Sequence, residues 1–322
     1  MNTRRNMALD IARSIAAFIV FFGHLFGFYG VINTENVRYF SPIATGAAAV
    51  YFFFMLSGFV LVKPIAITTS WMYKRILRLF PIYFITWFTP LLSMYILQIG
   101  GSVSLTTVAL GSIALQSFSF RHFIDYPNPA LWSLSVEIWL TPVFFLANKI
   151  RVRILVIITL FSLVFLYLQI DPYLISIPFF LCGMCIKKSN LSLPKRSKRF
   201  VGYLLLIAYT FWSPQIRIIA NRSYGEFILL LTFGLLVLWL KDVQVPLRFY
   251  KIINFVALRS YAFYACHLPI ILFLSRRYTK NQSAYLLAYL VFTTFLVAIT
   301  TELLFRVVDQ RALKNSSNFG IK

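Results

Sequence analysis

Apolar runs long enough to cross a hydrocarbon core recur along the chain from residue 14 to residue 304, separated by short polar breaks. Reading runs and breaks together predicts spans at 8–28, 42–62, 79–98, 130–148, 153–170, 173–186, 200–216, 224–240, 252–274 and 282–304. The stretch 173–186 is short and would extend or tilt. The run 105–118 is shorter still for its hydrophobicity and reads as an interfacial or re-entrant helix. The pattern therefore predicts an all-α integral membrane protein of about ten transmembrane helices.

Composition sharpens this picture. Of 322 residues, 60% are hydrophobic and 12% charged, and the mean hydropathy is +0.78, which no soluble fold of this size could bury. The formal charge of +22 would suggest nucleic acid in a soluble protein. Here the Lys and Arg residues cluster between apolar runs, and their distribution argues instead for a bilayer partner and no nucleic acid. With the N-terminus on the cytoplasmic side, 22 of the 31 fall in inner segments and 7 in outer ones, while Arg13 and Arg259 lie within spans. Ten spans with both termini cytoplasmic fit that asymmetry.

Arg4 and Arg5 precede the first apolar stretch as in a signal peptide, but Asp10 and Arg13 interrupt it and no small-residue cleavage site follows. It is expected to remain as the first span. Residues 1–322 read as a single membrane domain with no appended soluble domain and no tandem repeat. Cys182, Cys185 and Cys266 lie in or beside apolar runs, which implies neither a disulfide framework nor a metal site.

Ionisable groups inside spans are costly and are functional candidates by default. On a helical projection Asp10, Arg13 and His24 fall within an arc of about 60°, with Ala17 and Phe21 on the same stripe. Arg13 and His24 stand about 16 Å apart along the axis. A plain i, i+3 ion pair would account for Asp10 and Arg13, and an interhelical hydrogen bond for His24. Arg75 and Arg78, at the inner mouth of the third span, could grip phosphate together or simply flank the membrane. Trp132, Ser133 and Glu137 open the fourth span on the outer side, where a carboxylate also suits the helix dipole. Tyr261, Tyr264 and His267 lie on neighbouring turns of the ninth span near its outer end, as an interfacial aromatic belt would. Glu302 and Arg306 form an i, i+4 pair. The longest outer segment, 100–129, carries Arg121, His122, Asp125 and Tyr126 and is the place to look for acceptor choice, although a solvated loop reads the same way.

Together these segments resemble the membrane acyltransferase-3 family, bacterial O-acyltransferases acting on surface glycans. Leu9, Asp10, Arg13, Ala16, Val20 and His24 are similar to its Arg, ten residues, His signature. Phe52 to Phe59, containing Ser57 and Gly58, resembles its aromatic run before Ser-Gly-Phe; Arg75, Arg78 and Pro81 resemble its Arg-x-x-Arg element. Trp132, Ser133, Leu134, Ser135, Val136, Glu137 and Pro142 are similar to its Trp-Ser-Leu-x-x-Glu segment, and Ser260, Tyr261, Tyr264, His267 and Pro269 to its late Tyr-rich His-x-Pro segment. Leu303 stands after Glu302 where the family has proline, so no role is carried over to Glu302.

The resemblance implies acyl transfer, most often acetyl, from acyl-coenzyme A to a hydroxyl of a cell-surface glycan or its precursor at the bacterial cytoplasmic (inner) membrane. Acetyl-CoA would be a donor substrate, with no permanently bound cofactor. Arg13, Arg75 and Arg78 would take the donor's anionic end. His24 would be the general base, supported by Glu137 or Asp10, with Ser57, Trp132, Ser133, Tyr261 and His267 lining the substrate pocket. Direct attack by the acceptor and an acyl-His intermediate both fit. A polytopic transporter or flippase of a lipid-linked sugar is the other class that suits buried charges in ten spans, although no inverted repeat is evident. Oligomeric state is left open.

Overall fold

The computed structural model describes residues 6–32, 46–62, 69–97, 103–115, 127–168, 172–192, 202, 222–278 and 285–309. The expected span 200–216 and the segment carrying Arg121, His122, Asp125 and Tyr126 lie outside these, apart from residue 202. The described elements are helical: α1 (Met7–Phe28), α2 (Gly46–Leu61), α3 (Thr69–Leu97), α4 (Leu105–Ser112), α5 (Leu131–Ala147), α6 (Val152–Ser162), α7 (Val164–Leu168), α8 (Pro172–Lys188), α9 (Arg222–Leu240), α10 (Tyr250–Ser275) and α11 (Leu286–Leu304). Four stretches are long and apolar enough to cross a membrane: Met7–Phe28, Thr69–Ile96, Leu247–Ser275 and Leu286–Val308. Others, such as Gly46–Leu61 and Leu131–Ala147, are apolar but shorter. Two boundaries differ from the hydropathy reading. Helix α3 starts ten residues before the apolar run, because Thr69–Arg78 is polar enough to hide from a hydropathy window yet continues the helix. The run 153–170 is broken at Leu163 into α6 and α7.

The chain forms two compact units, Met1–Ala66 with Leu146–Leu258 and Ile67–Phe145 with Arg259–Lys322. In the first, α2 and α8 pack most extensively, and α1 and α9 lie against α2. Two glycines allow the α2–α8 approach: a Cβ on Gly58 would collide with the Phe180 carbonyl, and one on Gly183 with the Met55 carbonyl. Tyr51 stacks on Phe179 at 4.9 Å, and Phe52 meets Phe233 of α9 at 5.0 Å. Asn6 caps α1, its side chain accepting from the amides of Ala8 (3.0 Å) and Leu9 (3.3 Å). Its amide group also donates to the Lys241 carbonyl at 2.9 Å, fixing the start of α1 beside the end of α9. Lys188 closes α5 by donating to the carbonyls of Ala147, Asn148 and Ile150 at 2.7–3.2 Å.

The second unit is tied by polar groups. Pro90 in α3 and Pro269 in α10 have no N–H, so the carbonyls four residues earlier, of Thr86 and Ala265, lose their helical partners. The fully buried Asn128 amide donates one hydrogen to each, both at 3.0 Å. One side chain thus repairs two helices and pins the start of α5 between them. Helix α4 docks through Gly111, which lies against the Trp87 indole and accepts from the Tyr83 hydroxyl at 2.8 Å. Just past its C-cap stands Ala114, whose φ of 57° is left-handed and whose carbonyl accepts from Ser135 and from the Trp139 indole.

Replacing Asn128 by Leu strands two carbonyls in an apolar setting. It should cost about 2–4 kcal/mol and lower the unfolding midpoint of the detergent-solubilised protein by several degrees. Asn128→Asp, which sets carboxylate oxygens against both carbonyls, should be at least as damaging.

Candidate functional site

In the second unit, the stretch from Trp132 to Glu137 turns three alternate side chains to different partners on the first two turns of α5. The Ser133 hydroxyl donates to the Tyr264 oxygen at 2.8 Å, Ser135 reaches Ala114, and Glu137 accepts from Arg75 Nη2 at 2.7 Å. The Arg75 Nε also donates to Thr141 at 3.3 Å, and its guanidinium lies 6.0 Å from the Trp71 ring. Both members of the ion pair are largely covered, with side chains 19% and 11% exposed for Arg75 and Glu137. This changes the expected arrangement. Sequence reading set Arg75 at one end of its span and Glu137 near the opposite end. Because Asn128 holds the start of α5 at Thr86, about 16 Å along α3 from Arg75, the chain's descent through α5 carries Glu137 back to Arg75.

Tyr261, expected in an aromatic belt, donates from its hydroxyl to the Leu79 carbonyl at 2.8 Å and ties α10 to α3 one turn beyond Arg75. His267 is fully buried, and its Nδ1 lies 2.7 Å from the Tyr264 carbonyl. A carbonyl only accepts, so Nδ1 is the donor of this bond. Trp132 is half-buried at the first turn of α5, and Arg78 is half-buried one turn along from Arg75.

The first unit holds Asp10, Arg13, His24 and Ser57. Arg13 lies over the Phe53 ring at 5.4 Å, so its stripe of α1 faces α2. His24 continues that stripe two turns past Ala17, half-buried, with its ring 6.3 Å from Phe28. Asp10 is half-buried in the first turn. Ser57, expected in the pocket, is 1% exposed, and its hydroxyl has no hydrogen-bond partner among the described residues.

The family model described as an acyltransferase domain, acyltransferase-3, matches residues 6–302, from the α1 cap to the last turns of α11. The chain belongs to the acyltransferase-3 family. It is a membrane protein and an acyl-transferring enzyme. Neither the curated proteins nor the solved structures give a significant match.

Within this acyltransferase-3 chain three residues gain importance that sequence reading did not give them. Asn128 sits in Pro-Asn-Pro ahead of α5; the readable signal was a pair of helix prolines needing a donor. Glu302 was matched only with Arg306, yet it also binds Arg259, at 2.5 and 3.2 Å, besides Arg306 at 2.6 Å. Arg259 in turn lies 4.2 Å from the Phe305 ring. Glu226 is an acid in an apolar helix and is fully buried. Among the described residues no cluster of three His, Cys, Asp or Glu side chains suits a metal ion.

Removing one member of the Arg75–Glu137 pair leaves the other charge buried. Arg75→Ala and Glu137→Ala should each cost about 3 kcal/mol. The double variant should cost clearly less than the sum, with a coupling of about 1–3 kcal/mol when unfolding midpoints of the four proteins are compared.

Proposed function

We propose that this acyltransferase-3 enzyme moves an acyl group, acetyl in the first instance, from acyl-coenzyme A to a hydroxyl of a cell-surface glycan or its precursor at the bacterial cytoplasmic membrane. The observation that carries the reading is the family match running through the Arg13 to His24 signature on one stripe of α1. On this reading the His24 imidazole takes the proton of the acceptor hydroxyl as its oxygen attacks the thioester carbonyl. The carbon–sulfur bond then breaks, the coenzyme leaves as a thiolate that picks up a proton, and the new bond is an ester. Arg13, Arg75 and Arg78 are assigned to the donor's phosphates, whose geometry suits guanidinium groups. Asp10 and Glu137 support charge near the reacting groups. Ser57, Trp132, Ser133, Tyr261 and His267 are assigned to substrate contact.

For Glu137 the ion pair supports a specific form of this role. Its carboxylate holds the Arg75 fork at 2.7 Å and presents a guanidinium already ordered before donor arrives. Besides their assigned substrate contacts, Tyr261, bonded to Leu79, and Ser133, bonded to Tyr264, also brace the helices around that arginine.

Membranes containing the protein should transfer label from acetyl-labelled coenzyme A into glycan. Movement of a lipid-linked sugar with no label transfer would favour a transporter instead. Arg78→Ala should raise the KM for the acyl donor about 10-fold while leaving the acceptor KM unchanged. An unaltered donor KM removes Arg78 from the donor site.

A further inference from the structure

Glu226 has no part in the reading above, and its burial is unusual. The chain has 9 Asp and Glu against 31 Lys and Arg, and this carboxylate is 0% exposed on a helix whose other residues are almost all apolar. A buried carboxylate in such a setting is costly to desolvate and is a functional candidate by default.

Its depth follows from two separate lines of contact in the first unit. The Asn6–Lys241 hydrogen bond sets the start of α1 beside the end of α9, so the two helices run antiparallel from a common level. His24 lies 18 residues above Asn6, about 27 Å, and Glu226 lies 15 residues before Lys241, about 22 Å. The second line runs through α2. The Phe52 ring meets Phe233, and the backbone of Gly46 lies against that of Val20, with a Cβ on Gly46 placed 3.9 Å from the Val20 Cα. Six residues back from Phe233 is Phe227, and six back from Phe52 is Gly46, which lies against Val20, so Glu226, one residue further on, falls about level with Val20 and Phe21. Both lines put Glu226 about one turn, roughly 5 Å, from the level of His24.

The azimuths also agree. Arg13, over Phe53, and Val20, against Gly46, mark the α1 stripe that faces α2, and His24 lies about 20° from Arg13 on it. Phe233 marks the α9 stripe that faces α2, and Glu226 lies about 20° from Phe233 on that one. Both side chains thus lie on the stripes of their helices that face α2. Helical side chains lean toward their own N-terminus, so His24 leans back toward Asn6 and Glu226 leans the opposite way. The lean brings the two side chains toward a common level.

We infer that Glu226 is the positioning residue for His24: its carboxylate accepts the N–H of one ring nitrogen and turns the other nitrogen to the acceptor hydroxyl. This deepens the reading of His24 as general base and rests on it. A carboxylate in this place selects the tautomer, fixes the ring and stabilises the imidazolium formed when the acceptor proton arrives, as an acid does behind the histidine of a hydrolase triad.

Two measurements test this. In a background with Cys182, Cys185 and Cys266 replaced by Ala, His24→Cys with Glu226→Cys in membranes should be joined by a short bis-methanethiosulfonate reagent, read as a linked peptide pair by mass spectrometry. Ser14→Cys with Glu226→Cys, about 10 Å apart along the axis, should be joined far less. Separately, Glu226→Gln should lower kcat about 10–100-fold with the donor KM unchanged and the amount of folded protein equal to wild type. Glu226→Asp should recover part of the rate, and it serves if the Gln variant does not accumulate. Absence of the 24–226 link overturns the placement whatever His24 does. A link together with unchanged kcat in Glu226→Gln overturns the positioning role. Full transfer by a His24 variant would instead bring down the reading of the base, and the link would still report the geometry.

Discussion

Inside a chain this apolar, a polar group has no water to turn to, so every carbonyl freed by a proline and every charge set into a span must be met by another part of the protein. The Asn128 amide shows the constraint at its most economical. Pro90 and Pro269 each break one helical hydrogen bond, and the two donor hydrogens of one side chain meet both freed carbonyls at 3.0 Å. That bond pair sets where α5 begins along α3. The setting then decides that Glu137 meets Arg75, that Ser135 and Trp139 meet Ala114, and that Ser133 meets Tyr264. A displacement of one residue along α5 would turn those side chains away from every one of these partners.

The two units hold together by different means. In the unit built on α2 and α8 the decisive residues are small: Gly58 and Gly183 let two backbones approach so closely that side chains would collide, and aromatic rings at Tyr51, Phe52, Phe179 and Phe233 fill the space around them. Dispersion between close backbones is the available attraction where hydrophobic burial from water does not operate. In the other unit the ties are polar and long in sequence, linking residues 62 positions apart in Arg75–Glu137 and 43 apart in Arg259–Glu302. The acyltransferase signatures are distributed over both, with Arg13 and His24 in the first and the Arg-x-x-Arg and Trp-Ser-Leu segments in the second.

This division explains what could be read from sequence. Hydropathy located α1, α5, α8 and α11 to within a few residues, since a run of apolar side chains carries its own length. It missed the first ten residues of α3, where Lys74, Arg75 and Arg78 lower the hydropathy without ending the helix. The chemical types of the candidate residues were legible as well, because an ionisable group in a span stands out alone. Partners were not. Nothing local to Arg75 points to a carboxylate 62 residues on, and the pattern that places Glu302 between Arg259 and Arg306 shows only its i, i+4 half. Glu226 sits two residues into a predicted span, where an acid reads as an edge residue; its burial and the antiparallel packing of α1 and α9 distinguish it.

The proposed transfer turns on His24, a half-buried imidazole on the stripe of α1 that carries Arg13 over Phe53. The most direct test is the rate of labelled acyl transfer from acyl-coenzyme A to glycan by membranes holding equal amounts of folded wild-type protein and His24→Gln. Loss of transfer to the background of membranes lacking the protein is the expected result. Transfer at the wild-type rate by His24→Gln would contradict the proposed role of His24 as the base.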